Sequence, residues 1–150
     1  MATLQLLHKV SGATGGTPVI GANSVTFSQG DPVLISATGF LELATAGSKI
    51  HGWCLEDSVM ASDNQTVSKI CPLYLNERNV RMIMESDIAC TQTDVGAYAD
   101  IKGTTSGAFQ VDLLAGATGS LLVEAFDPYG TSTNTQVVVC VAATSLHSIV

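Results

Sequence analysis

The chain has 150 residues, enough for one domain that buries roughly 70% of its unfolded surface without metal or disulfide staples. Charged residues make up 13%, about half the usual share of roughly 25%, and apolar residues make up 46%. The net charge of −7 divides into +1 over residues 1–30, −2 over 31–84 and −6 over 85–150, so the basic footprint that nucleic acid or an anionic membrane surface would need is missing.

So low a charge density predicts a surface largely covered by partners. No apolar run approaches the roughly 18 residues of a membrane span, and Met1–Val10 lacks a basic start followed by an apolar stretch. Neither a membrane segment nor a secretory leader is therefore expected. Without a leader, Cys54, Cys71, Cys90 and Cys140 are expected to be free thiols rather than disulfides.

Leu4, Leu6 and Val10 alternate with mixed neighbours, which suits a short strand, and Gly12, Gly15, Gly16 and Gly21 break regular structure after it. Residues 1–24 are thus either an N-terminal arm or a first strand plus loop, and residues 25–150 are the domain proper. Val25–Ser28 is strand-like, Gln29–Pro32 is a turn, and Val33–Ser36 and Phe40–Ala44 are strands about the tight turn Ala37-Thr38-Gly39. Ala46-Gly47-Ser48 turns again before a strand over Lys49–Leu55, and Glu56–Ser68 reads as an exposed loop.

Ile70–Leu75 and Val80–Glu85 are expected to pair as a hairpin across Asn76–Asn79, with Met82 and Met84 sharing a face with Val80. Ser86–Asp94 is a loop or one helical turn. Strands are expected over Gly96–Lys102 and Ala108–Leu114, where Phe109, Val111 and Leu113 alternate with Gln110 and Asp112. Leu121–Phe126 is a strand, Asp127–Gly130 a turn, and the valine-rich Gln136–Ala142 a strand buried on both faces. Helical periodicity is almost absent. The fold class is all-β: a compact single-domain β-barrel of short antiparallel strands.

Chemistry is hard to place. His8, His51 and His147 lie far apart, and no Gly-x-Ser-x-Gly elbow or phosphate-cradling glycine loop occurs. His51 and Cys54 would fall on opposite faces of a strand, and the cysteine spacing fits no common zinc module. No catalytic residue, metal ligand or cofactor is expected. Trp53 is expected in the core.

The run 25–57, Val-Thr-Phe-Ser-Gln-Gly-Asp-Pro-Val-Leu-Ile, then Gly-Phe-Leu, Ala-Thr-Ala-Gly-Ser and Ile-His-Gly-Trp-Cys-Leu-Glu, resembles the cement (head decoration) proteins of tailed-phage capsids. The resemblance covers about a fifth of the chain. It implies a tulip-type barrel that coats the exterior of an assembled virion shell, made in the host cytoplasm. It also implies the major capsid protein as partner and a homotrimer as the working form. Leu4, Leu6, His8, Val10, Pro18 and Ile20 are the expected capsid or oligomer contacts, within residues 1–20 as a capsid-gripping arm. A tail or fibre component is the alternative, and a small ligand-binding barrel a more distant one.

Overall fold

The computed structural model describes residues 5–8, 17–62, 72–75, 80–114 and 119–142. The chain enters three antiparallel sheets. The largest has the order β1-β9-β13-β12-β10-β11, built from Gln5–His8, Arg81–Glu85, Gln136–Val141, Leu121–Phe126, Tyr98–Lys102 and Gln110–Asp112. The second has the order β2-β8-β6-β4-β5, built from Thr17–Pro18, Leu73–Leu75, Gly52–Cys54, Pro32–Ile35 and Leu41–Leu43. A two-stranded ribbon pairs β3 (Thr26–Phe27) with β7 (Ser58–Val59).

Both large sheets curl into half-barrels. In the first, Ser86 just beyond β9 bridges in parallel to Val111 of β11, where the Asp87 N–H donates to the Val111 carbonyl at 3.0 Å. In the second, residues 20–22 run from β2 to the opposite edge. There Leu41 N–H donates to the Ile20 carbonyl and Ala22 N–H to the Leu41 carbonyl, both at 2.9 Å. Each closure pairs backbone groups that an open edge would leave to solvent or to another chain.

One apolar cluster lies between the sheets. Val137, Val139 and Val141 of β13 meet Met82 and Met84 of β9, Phe109 and Val111 beside β10, and Ile50 and Trp53 from the second sheet. Because both sheets supply it, they share a core. A smaller cluster of Phe27, Val33, Leu41, Cys54, Met60 and Tyr74 sits within the second sheet beneath the ribbon. Alternation along β6 divides its side chains, Trp53 to the shared core and Cys54 to the smaller cluster.

The all-β class and most strand positions match the sequence reading. The 36–40 turn and the 103–109 turn each join the strands expected of them. Phe109 and Val111 are buried, with Leu113 packed against the same cluster, and Val80, Met82 and Met84 share the core face.

Three expectations are corrected. Residues 70–75 and 80–85 do not form a hairpin, since β8 pairs with β2 and β6 while β9 pairs with β1 and β13. Consecutive strands therefore cross between sheets, and alternation cannot distinguish that from a turn back onto a neighbour. Within the expected loop 56–68, Ser58–Val59 pairs with β3, and the stretch 63–68 lies outside the described residues. The valine run is buried on both faces only at Val137–Val139. There β13 lies between β9 and β12, and Val138 meets Ile83 on the face away from the shared core, whereas Cys140 is half-buried. The segment 86–94 holds one short 3₁₀ turn, Gln92–Asp94, fastened by the Asp94 carboxylate accepting the Thr91 N–H at 2.7 Å.

Candidate functional surface

The expected contact residues divide among several places. Leu6 and His8 lie in β1 at the free edge of the larger sheet. Pro18 lies exposed in β2 at the edge of the other sheet, and Ile20 is half-buried beyond it with its carbonyl committed to Leu41. Leu4 and Val10 lie outside the described residues. The segment thus reaches two sheets rather than presenting one face.

His51, Cys54 and Cys90 are packed away. His51 is buried, its ring edge-on to Tyr74 at 5.4 Å and 77°. Trp53 is buried as expected. Among the described residues, no three of His, Cys, Asp and Glu converge as a metal site, and no helix is long and apolar enough to cross a membrane. Cys54, Cys90 and Cys140 are free thiols, and Cys71 lies outside the described residues.

Burial pushes the Cys54 thiol up to about 11, although a backbone hydrogen bond at Glu56 pulls the other way. Burial, then the neighbouring Glu124 carboxylate, brings Cys140 to about 11 as well. Both stay protonated at neutral pH and are poor nucleophiles. Their ordinary value of 9.0 applies to the unfolded chain, so the fold holds these protons more tightly than the unfolded state does. The resulting stability is complete below pH 9 and is lost as pH rises through 11. Burial raises Tyr74 too, which extends the same alkaline loss. Urea midpoints should accordingly fall between pH 9 and 11, and fall less in the Cys54→Ala/Cys140→Ala double variant. An equal fall in both proteins would refute the assignment.

The best-built polar feature is structural and invisible to motif reading. Asp31 is fully buried at the end of the 28–31 turn, where Gly30 has the φ of 88° that a type II turn requires. Its Oδ2 accepts the Ser28 N–H at 2.8 Å and the Ser106 hydroxyl at 2.6 Å, and its Oδ1 accepts the Gly107 N–H at 2.8 Å. One carboxylate therefore ties the turn before β4 to the turn between β10 and β11, across the two sheets. A second tie lies nearby: Asp100 of β10 accepts the Gly47 N–H at 2.9 Å, and the Ser120 hydroxyl donates to the Ser48 carbonyl at 2.7 Å. In sequence, the only signal for either tie is an acid beside a turn, because the partners lie 53 to 76 residues away.

The exterior is acidic. Arg81 pairs with Glu124, and Lys102 with Asp87 at 3.1 Å, so among the described residues both strand-borne cations are paired with acids. On the outward face of the larger sheet, an apolar band runs through the cross-strand pairs Ile83–Val138, Cys140–Leu122 and Leu122–Tyr98. Its end is open, since Tyr98 is 41% exposed. Comparison with protein-family models, with curated proteins and with solved structures finds no match to this chain.

Proposed function

We propose that the chain is a capsid decoration protein. In this reading it binds the outer surface of an assembled phage shell, with the major capsid protein as partner and a homotrimer as the working form. The run 25–57 carries the reading. It resembles the decoration proteins in sequence, and it supplies β3 to β6 together with Asp31, a residue that ties the two sheets. The acidic exterior and the exposed Tyr98 end of the apolar band also support it. Such a surface suits a protein that works by burying modest contacts at many repeated sites, where multivalency multiplies weak affinities.

The test is co-sedimentation of the purified protein with expanded and unexpanded capsids of its source. Binding to expanded shells, with a higher shell disruption temperature, is expected. Failure to bind either form would overturn the reading, and so would assembly into tubes without shells, which would indicate a tail component.

A further inference from the structure

Five large apolar side chains are exposed among the described residues: Val59, Ile88, Tyr98, Leu114 and Tyr129. Four of them collect at one end of the larger sheet. β9, β11 and β12 run in the same direction and finish at that end, whereas β10 and β13 start there. Ile88 follows β9, Leu114 follows β11, Tyr129 lies between β12 and β13, and Tyr98 opens β10. Hydrogen bonds join these segments. The Cys90 N–H donates to the Asn134 carbonyl and the Ser86 N–H to the Thr135 carbonyl, both at 2.7 Å, and the Leu113 N–H donates to the Asp87 carboxylate at 3.2 Å.

This end is also held in shape. Three of the four described non-glycine residues with positive φ lie in one loop, Asp127 at 48°, Ser132 at 63° and Asn134 at 56°. The Asp127 carboxylate fixes that loop by accepting the Thr131 N–H at 2.6 Å and the Ser132 N–H at 3.0 Å. Leu114 is 74% exposed and Tyr129 59%, so large apolar groups stand in water on backbone that is already ordered. Such preorganisation lowers the entropy cost of a contact, and backbone strain of this kind gathers where a surface is used. The charge is one-sided. Asp94, Asp112 and Asp127 belong to the same segments, and residues 86–97, 112–114 and 126–135 contain no lysine or arginine. Lys102 reaches this end only to pair with Asp87.

We infer that this end of the larger sheet is the docking face, and that it fits a shell surface with an apolar centre and a rim of lysine and arginine. The inference rests on the decoration reading and names the face that meets the shell. The apolar groups supply affinity, and the acids select a basic partner. A second copy of this chain would set acids against acids, which opposes self-contact through this face.

The experiment is co-sedimentation of full-length variants with expanded capsids. Tyr129→Ala and Leu114→Ser should each weaken binding about tenfold. Val59→Ser, at the exposed position on the separate β3–β7 ribbon, should leave it unchanged. All three positions are exposed, so urea midpoints equal to that of the unaltered protein are expected and verify the fold. At the exposed Gln92, Gln92→Lys should weaken binding more than Gln92→Glu does. Binding by the unaltered protein with no loss in Tyr129→Ala or Leu114→Ser would overturn the docking face and leave the decoration reading standing. The opposite order at Gln92 would overturn the basic rim. Loss of a free-solution oligomer in Tyr129→Ala would show a self-contact and overturn the inference as well. Failure of the unaltered protein to bind would overturn the decoration reading and this face with it.

Discussion

Replacing Asp31 by alanine is expected to lower the unfolding free energy by about 2–4 kcal/mol, because two half-buried backbone donors lose their acceptor at roughly 1–3 kcal/mol each. Those donors are the Ser28 and Gly107 N–H groups. The Ser106 hydroxyl has an alternative partner in the Ser28 hydroxyl at 2.7 Å. Asp31→Asn should cost somewhat less, about 2–3 kcal/mol, since one acceptor oxygen remains while the amide NH₂ faces a donor. Asp57 provides the comparison, because its carboxylate accepts the adjacent Gln29 N–H at 2.8 Å but is exposed. Water replaces that bond in Asp57→Asn, which should cost under about 1 kcal/mol. Urea unfolding of the three variants measures the difference. Similar costs at Asp31 and Asp57 would show that burial is not what makes the Asp31 tie strong.

Gly119→Ala should be as damaging for a different reason. A Cβ there would lie 1.9 Å from the Ala99 carbonyl oxygen and 2.2 Å from its carbon. Both are backbone atoms of a strand whose residue 99 is fully buried, so rotating a side chain cannot relieve the clash. Residues 119–121 must move away from β10, opening the Ala99–Leu121 pairing, at an expected cost of about 3 kcal/mol or more. In a chain of this length that corresponds to a melting temperature lower by roughly 6–12 °C. Gly130→Ala is the contrast. Its φ of 67° is unfavourable for alanine but its surroundings are open, so about 1–2 kcal/mol is expected. Thermal melts of both variants check the order, and a Gly130→Ala loss equal to that of Gly119→Ala would contradict the close approach.

These two positions show where the sequence becomes hard to read. Gly119 closes a Gly-Ala-Thr-Gly run that looks like any turn, and Asp31 sits in a Gly-Asp-Pro turn where an acid is unremarkable. Each matters because of backbone brought near from far along the chain. The hairpin misreading has the same origin: 70–75 and 80–85 each carry a strand pattern, but alternation specifies a face and leaves the neighbour open. Where partners are adjacent in the chain, as at 98–102 with 110–112, turn chemistry names the partner and the pairing was legible.

The candidate surface was legible only in part. The low charge density can be counted from the sequence. Of the expected contacts, Leu6 and His8 lie on the edge of one sheet and Pro18 on the edge of the other, with Ile20 just beyond it. The apolar band ending at Tyr98 draws on four strands, and no window of sequence contains it.

By itself the sequence determined the all-β class, most strand positions and the core-facing side of β9 and of the β10–β11 hairpin. Those properties arise from local periodicity and turn residues, which act over a few bonds. Tertiary structure alone decided which strands share a sheet, how each sheet closes on a parallel bridge, and that the buried Asp31 carboxylate ties the two. Those depend on backbone donors and acceptors finding partners once water is excluded, and that requirement is satisfied across the whole chain rather than within any stretch of it.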